Sequence, residues 1–351
     1  MTDADLVSYL QDNATRALGH YETQIANAQA QVINYYEGRL DDCPARHERS
    51  TAVDRTVAIV IDNFVANMLK PFVSADETVR FEPHGEEDVA AAQQATEYVN
   101  YILHCDNPGF MILHDWVKDA GMARLGVVKA WWERKATGRP RRLEALDATQ
   151  VEQLGDSIVG GPWFDPETGL FGADVRDDHE DGRVRIENVP PEEYLVSPYA
   201  RPGSVPPYEA HRTRKARSEL IEMGFDPEIV ETLPKYQGQF DDERVLARYR
   251  DEHYDNYRTD APGDASRDLI EIHHEFILID FDGDGVSELR ECIRATDVLL
   301  YNEEVEFGPF ARFCPIPMPH KIYGGCPGEL VVEDQKVKTV LLRQQLDNLY
   351  L

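Results

Sequence analysis

Cysteine is scarce in this sequence and shows no regular spacing. The 351 residues include five cysteines, and none belongs to a Cys-x-x-Cys pair. Disulfide-stapled secreted domains need an even, closely spaced set of cysteines. The sequence therefore excludes that class. Scattered thiols in odd number are typical of a reducing cytoplasm, where we expect them to be buried.

Long apolar runs are absent as well. No run reaches the roughly 18 residues that a membrane-spanning helix needs. Residues 1–5 are acidic, whereas a signal peptide begins with basic residues and continues with apolar ones. The sequence therefore predicts no membrane partner.

Basic charge is scarce relative to acidic charge. The chain has 36 Lys and Arg against 65 Asp and Glu, a formal net charge of -29. Affinity for phosphate comes largely from Lys and Arg that release counterions. This composition therefore excludes a protein that grips nucleic acid over most of its surface. It leaves open a protein that surrounds DNA without gripping it. The 42% apolar content is enough for a buried core.

The order of predicted elements favours the α+β class. Helical spacing of apolar residues dominates residues 1–126, and strand-like segments with acidic loops dominate residues 127–327. Residues 328–351 predict the start of a long helix that the chain end interrupts, since no cap follows Tyr350. We therefore expect N-terminal helices packed on a mainly antiparallel β region, followed by the long helix.

Some elements can be bounded more closely. The predicted early helices cover residues 1–40, 50–69, 86–104 and 110–124. Pro71 is expected to stop the second of them. A further helix is predicted to begin near Thr213 and to end at Gly224. Residues 137–181 predict a loop or a small hairpin excursion.

One stretch matches the pattern of a calcium-binding loop. The ligands at positions one, three, five and twelve of such a loop are here Asp280, Asp282, Asp284 and Glu291. Alternate carboxylates in a tight loop converge on one cation. Two departures favour an alternative, a β-hairpin turn whose Asp-Gly residues supply positive φ. Ser287 replaces the usual apolar residue, and both flanks have the pattern of strands.

The densest basic run is a second candidate site. Its cationic residues are Arg212, Arg214, Lys215 and Arg217. Such a run is usually a solvated face. The functional alternative is a patch for an acidic neighbour, which on a chain of this charge is another copy of itself. The macrodipole disfavours arginine at a helix start, which also indicates a partner. We therefore treat these four residues as candidates for a subunit interface.

Signatures of catalysis are missing. His273 and His274 are neighbours on a predicted strand, so they point to opposite faces and cannot share a metal. The glycine turn at residues 324–328 lacks the Gly-Lys-Ser/Thr of a nucleotide-binding loop, and we interpret it as a tight helix entry. No serine-hydrolase elbow or zinc-protease motif occurs. The sequence predicts no enzyme, and no cofactor apart from calcium at the aspartate loop.

Seven blocks, taken in order, resemble the portal proteins of short-tailed, podovirus-type bacteriophages. They are VINYYEG at 32–38, ATEYVNY at 95–101, KDA to KAWWE at 118–133, NVPPEEY at 188–194, DGDG with ELR at 282–290, MPH with YG at 318–324, and LRQ to LDNLY at 342–350. One departure is Cys326-Pro327, where the family has a serine and an apolar residue.

The resemblance implies a structural role. It implies a portal-like wing and stem architecture and a ring, typically of twelve copies, at one capsid vertex of the virion. Double-stranded DNA would pass through this head–tail connector during packaging and ejection. Terminase, head–tail adaptor proteins, capsid and scaffold would be its other partners, and assembly would occur in the host cytoplasm. The family's later stem, clip and crown elements would lie beyond residue 351.

Two other functions stay open at this level. One is a soluble calcium-binding interaction module centred on the loop from Asp280 to Glu291. A portal needs no cation, so a calcium titration separates the two. The other is a hydrolase that uses carboxylates of the acidic loops, which rests on composition alone.

Overall fold

The structure, a computed structural model, describes most of the chain. The described residues are 1–45, 47, 49–74, 77–134, 141–154, 158–165, 170–175, 182–236 and 265–350. They form two compact units. Unit 1 comprises Met1–Ala130 and Ile186–Leu351, and unit 2 comprises Trp131–Arg185. The predicted boundaries at residues 126 and 327 both fall inside unit 1 and stay predictions.

Unit 1 opens with a nearly continuous helix. Helix α1 (Asp3–Tyr21) and helix α2 (Asn27–Tyr36) are joined by one π-helical turn, Glu22–Ala26. Thr2 caps the start, because its side chain accepts the backbone N–H of Asp5. Gly38 follows the end with φ of 77°, a conformation that favours glycine. The predicted first helix and its terminal glycine are thus confirmed.

Helix α3 (Thr56–Ser74) differs from its prediction at both ends. It begins six residues later than expected, and it continues through Pro71. Proline removes one hydrogen bond from a helix, and in the last turn this loss costs little. By length and composition α3 also passes as a candidate membrane span, a test that core helices pass too. Its Val57, Ile61, Val65 and Leu69 are buried in a core cluster, and 22% of the apolar window is buried in all.

Helices α4 (Val89–Tyr101) and α5 (Gly109–Ala123) follow, linked by a π-helical turn, Ile102–Asp106. A short 3₁₀ turn, Glu86–Asp88, precedes α4. Helix α5 contributes Leu113 and Val117 to the same core cluster as α3. Helix α4 buries one residue, Thr96, so its apolar spacing does not face a core.

A five-stranded sheet with strand order β10-β9-β8-β7-β6 forms the centre of unit 1. All four pairings in it are antiparallel. The strands are Tyr194–Val196 (β6), Tyr208–Ala216 (β7), Leu269–Ile279 (β8), Glu288–Ala295 (β9) and Val298–Glu304 (β10). Two short helices, α7 (Arg217–Glu222) and α8 (Pro227–Thr232), lie between β7 and β8 in the chain.

Strand β7 corrects the prediction of a helix from Thr213. Its pairing with β8 continues from Tyr208 opposite Ile277 to Ala216 opposite Leu269, so the basic run is extended. Helix α7 starts only at Arg217. Pairing along the whole of β8 outweighs the local helical preference of this segment. The predicted end is confirmed by Gly224, whose φ is 97°.

A smaller sheet has the strand order β11-β1-β5. Its strands are Gly126–Arg134 (β1), Gly182–Val189 (β5) and Phe310–Phe313 (β11). A two-stranded ribbon follows in the chain, formed by β12 (Ile316–Met318) and β13 (Lys321–Gly325). The described helices and antiparallel pairings confirm a mixed, α+β fold, whereas the wing and stem architecture stays a prediction.

The five-stranded sheet is covered on both faces. On one face, Tyr208 and Ile277 pack with Leu6 and Leu10 of α1. On the other face, Phe276 lies edge-on to Phe310 of β11, with ring centroids 5.7 Å apart. The α7–α8 pair covers the rest of this second face through Leu220 and Val230, which pack with Ile270 and Ile272.

Each face also contains a buried ion pair. Glu275 on β8 is fully buried and accepts two hydrogen bonds from Arg294 on β9, both of 2.9 Å, and one of 2.8 Å from the Tyr208 hydroxyl. On the opposite face, Glu209 accepts hydrogen bonds from Tyr194 and from Arg312 of β11. Burial raises the pKa of Glu209 above its usual value. The second pair ties the two sheets together.

Helices α9 (Pro327–Leu330) and α10 (Val332–Tyr350) close unit 1. Gly328 lies so close to α2 and α3 that a Cβ atom would stand 2.5 Å from Val32 Cγ1. The interpretation of this turn as a tight helix entry is therefore confirmed, and close packing is the reason for the glycine.

Helix α10 contacts residues 43–57 through a ladder of polar side chains four residues apart. The Gln335 amide oxygen accepts the N–H of Val57, and Thr339 accepts the N–H of Asp54. Arg343 donates to the carbonyls of Ala52 and Cys43, and Asp347 accepts the N–H of Ser50. The inner side of this helix is thus polar along much of its length.

Unit 2 is a small antiparallel sheet with the order β2-β4-β3. Its elements are Arg141–Leu146 (β2), Ala148–Leu154 (α6), Ile158–Asp165 (β3) and Leu170–Val175 (β4). Phe164 and Phe171 pack with ring centroids 5.2 Å apart. The hairpin excursion predicted for residues 137–181 is thus, over its described part, a three-stranded sheet with one helix.

Candidate functional site

The aspartate loop is a hairpin turn between β8 and β9. Gly283 and Gly285 have φ of 88° and 90°, which the turn requires and which glycine adopts without strain. Asp280 accepts the N–H of Gly283 at 2.6 Å and that of Gly285 at 2.9 Å, one with each carboxylate oxygen. Asp282 and Asp284 each accept the N–H two residues ahead. The aspartates therefore shape the turn themselves.

Two of the four predicted calcium ligands converge. Oxygen atoms of Asp280, Asp282 and Glu288 lie within 4.8 Å of one another, the one group of possible metal ligands in the described part of the chain. Asp284 is not in this group. Glu291, predicted as the twelfth-position ligand, lies outside this group and accepts a hydrogen bond from His274 further along the sheet, and its role as a ligand stays a prediction.

The strands explain why Glu288, and not Glu291, lies beside Asp280 and Asp282. In a calcium loop the twelfth residue returns to the ion from the start of an exit helix. Here the exit is a strand that begins at Glu288, opposite Ile279, and Glu291 lies opposite Phe276. Glu288 also accepts the N–H of Phe281 at 3.1 Å. The strand pattern on both sides of the loop was the signal from which the position of Glu288 beside Asp280 and Asp282 could have been predicted. Calcium binding itself stays a prediction.

The four candidate residues of the basic run lie in different surroundings, three on β7 and Arg217 at the start of α7. Arg217 donates to the carbonyls of Val230, Glu231 and Leu233 at the end of α8. This guanidinium therefore acts as a C-terminal cap for α8.

Arg214 also has partners within the chain. Its guanidinium lies 4.4 Å from the ring centroid of Tyr236 and donates to the Tyr236 hydroxyl. Along β7, Arg212 and Arg214 point to one face and Lys215 to the other. All three are half-buried. The four cations therefore do not form one patch, and their role at a subunit interface stays a prediction.

A buried network joins the two sheets behind this strand. Lys129 of β1 lies 2.7 Å from Nδ1 of His274, and the Nε2 atom of His274 contacts Glu291. With a neutral imidazole, the Lys129 ammonium donates to Nδ1 while Nε2–H donates to Glu291. The structure thus brings together Lys129 and His274, which the sequence separates by a long stretch.

Burial sets the protonation of this network. Desolvation lowers the pKa of His274 to about 4, with Lys129 adding to the decrease and Glu291 opposing it. Desolvation also lowers the pKa of Lys129 to about 8, opposed by Glu187 and Glu291. At neutral pH the imidazole is therefore neutral and most of the Lys129 amine is protonated. Alternation along β8 predicted opposite faces for His273 and His274, and no local pattern pointed to Lys129 as a partner.

The prediction of buried thiols is confirmed for Cys292 and Cys326 and is wrong for the other three cysteines. Desolvation raises the pKa of Cys292 to about 12 and that of Cys326 to about 11. Both thiols are therefore protonated at neutral pH and poor nucleophiles. Cys105 is exposed, and Cys43 and Cys314 are half-buried.

Comparison with known protein families places the chain. The model of a family described as "Phage SU10 portal protein" matches residues 6–351. The chain belongs to this phage portal family. No curated protein matches it. The resemblance drawn from the seven blocks is thus confirmed, since the match covers nearly the whole chain.

Membership of the phage portal family indicates the general role of the protein. A phage portal is a component of the virion capsid, forms an oligomeric ring and associates with capsid and DNA. The family is structural and not enzymatic. For this portal subunit, the polar contacts described above therefore matter chiefly for the shape and stability of a building block.

Proposed function

We propose that the protein is the repeating subunit of a ring at one capsid vertex, through which double-stranded DNA is packaged and later ejected. The family match over residues 6–351 is the observation that carries this proposal. Twelve copies, a docking surface for the terminase motor and one for head–tail adaptors complete it. Capsid and scaffold surround the ring during assembly in the host cytoplasm.

The charge of the chain supports passage of DNA without binding. A net charge of -29 repels the phosphate backbone over most of the subunit. A channel wall that bound phosphates tightly would hold a moving duplex, whereas a weakly repelling wall lets it slide. We expect purified protein to retain no 30-base-pair duplex in fluorescence anisotropy at about 0.15 M salt.

Images of the purified protein test the ring directly. Negative-stain micrographs should show annular particles with a central hole, and native mass spectrometry should give one closed stoichiometry. Monomers at every concentration up to about 100 μM would contradict the proposal. The subunit count from the same spectra decides whether the ring is a dodecamer.

The half-buried cations Arg212 and Lys215 are proposed contacts for an acidic neighbour in this ring. Arg217, in contrast, already binds the carbonyls at the C-terminal end of α8. Reversing both charges, Arg212→Glu with Lys215→Glu, should weaken assembly and make it less sensitive to salt. Rings that form normally in this double variant would remove the basic run from the interface.

A further inference from the structure

Helix α4 is covered on one side by an extended segment of its own chain. Asn100 accepts the N–H of Thr78 at 2.9 Å and donates to the carbonyl of Val79 at 2.7 Å. Thr96 accepts the N–H of Phe81 at 3.0 Å. These polar contacts hold residues 78–81 along α4 and fix which side of the helix faces its own subunit.

The other side of α4 is apolar and exposed. Tyr98 and Tyr101 are 58% and 55% exposed, and Cys105, one turn further on, is exposed too. Residues three and four apart share a helix face, and this face points away from Thr96 and Asn100. We call Tyr98, Tyr101 and Cys105 the tyrosine face.

The surroundings of α4 have too little core of their own. A helix of 13 residues is marginal in water without tertiary packing. Five aromatic rings between residues 72 and 110 are between 36% and 58% exposed: Phe72, Phe81, Tyr98, Tyr101 and Phe110. Phe72 and Phe110 belong to α3 and α5, and Phe81 belongs to the segment that covers the opposite side, so Tyr98 and Tyr101, at roughly 100 Å² each, are the aromatic area of the exposed side itself.

Helix α10 has the complementary property. Its inner side is the polar ladder of Gln335, Thr339, Arg343 and Asp347. On its outer side Val337, Val340 and Leu341 are 57%, 36% and 54% exposed. The inner side also includes the buried Val332 and the half-buried Leu342 and Leu346, whereas Val337, Val340 and Leu341 are apolar residues that the contacts of the subunit itself leave exposed. We call Val337, Val340 and Leu341 the valine–leucine stripe.

We propose that the tyrosine face of one subunit packs on the valine–leucine stripe of the next subunit. A closed ring requires two different surfaces on each copy, because each neighbour contact is head-to-tail. The two apolar helix faces meet that requirement. Glu97 borders the tyrosine face, and Lys338 borders the valine–leucine stripe together with Glu333, so one pair of opposite charges, Glu97 and Lys338, is available across the contact. This inference rests on the proposed ring.

The native thiol of Cys105 gives a direct test. In the variants Val337→Cys and Leu341→Cys, a short bismaleimide should join Cys105 of one copy to the new thiol of the next. Denaturing gels should then show a ladder of covalent oligomers. Adding Cys105→Ser to the same variants should abolish the ladder. Met223→Cys, at a position that is 53% exposed outside both faces, is the matched control. A ladder no stronger than that control would overturn the proposal.

A charge variant tests the same contact without new thiols. Tyr98→Glu with Tyr101→Glu should weaken subunit association at least tenfold in mass photometry, while the circular dichroism of the monomer stays that of the wild type. Tyr199→Glu, at a residue that is 80% exposed elsewhere, should leave association unchanged. If the double variant formed the same rings as the wild type, the proposed contact would be wrong and the proposed ring would stand. Monomeric wild-type protein would overturn both the ring and the contact.

Discussion

The five-stranded sheet and the segment around α4 are stabilised in opposite ways. The sheet is covered on both faces, and each face contains a buried ion pair with every charged group satisfied. The segment at residues 72–111 has aromatic rings in solvent and is held mainly by polar contacts to its own backbone. The sheet is therefore expected to be stable in an isolated subunit. The α4 segment is expected to gain most of its stability from a neighbouring surface.

Breaking the buried ion pair of the sheet should have the largest effect. Glu275→Ala leaves the guanidinium of Arg294 buried without its carboxylate, and we expect the free energy of unfolding to fall by about 3–5 kcal/mol. Chemical denaturation of the isolated subunit measures this. Glu304→Ala, an exposed carboxylate on β10, should change it by less than about 0.5 kcal/mol. A loss below about 1 kcal/mol for Glu275→Ala would show that the sheet does not depend on the pair.

Acid should destabilise the same sheet through His274. Its folded pKa of about 4 lies below the usual value of 6.5, so the unfolded chain takes up the proton first. Stability is therefore complete above about pH 6.5 and falls as the pH decreases to about 4. The expected loss is about 3 kcal/mol, from 1.36 kcal/mol per pKa unit.

The variant His274→Gln isolates this contribution. It should show a loss between pH 7 and pH 4 that is smaller than that of the wild type by about 3 kcal/mol. Guanidinium titrations at both values measure the difference. Equal losses in the two proteins would mean that another group governs the acid response.

The aspartate loop should give a smaller and more local effect. Asp280→Ala removes the acceptor of two backbone N–H groups, and we expect a loss of about 1–2 kcal/mol with or without calcium. Thermal unfolding with 1 mM calcium or 1 mM EDTA distinguishes the two interpretations of the loop. A calcium-dependent rise in Tm that Asp282→Asn abolishes would support the cation hypothesis.

The smallest global effect is expected at Asn100. Asn100→Ala frees residues 78–81 from α4, so hydrogen exchange there should accelerate while the free energy of unfolding changes by less than about 1 kcal/mol. If α4 were instead part of the cooperative core, the whole subunit would lose stability. This result would show that the α4 segment and the five-stranded sheet are stabilised in the same way.

The sequence predicted the elements whose cause is local. Leu6 and Leu10 have helical spacing, Gly38 ends the helix, and the Asp-Gly turn joins two strands. Predictions failed where distant residues decide the outcome. Thr213 is extended because β8 pairs with it along the whole basic run.

The surroundings of the candidate site residues also depend on distant parts of the chain. The register of β9 turns Glu291 toward His274 and away from the aspartate loop. Arg217 belongs to the end of α8, which the sequence did not connect with the basic run. The contacts of helix α10 with residues 43–57 are made by polar side chains, which the apolar spacing of the sequence did not indicate. The family itself was recognisable, since that depended on ordered blocks and not on contacts.

The polar ladder of α10 has a consequence for how this protein can vary. Its side chains form hydrogen bonds with backbone N–H and C=O groups. Every residue type has a backbone C=O, and every type except proline has a backbone N–H. The side chains of residues 50–56 can therefore change without breaking these backbone contacts, except to proline at Ser50 or Asp54, whereas Val57 is also fixed by its burial in the core. A phage lineage could remodel the outer surface of this segment while the geometry of its building block stays fixed.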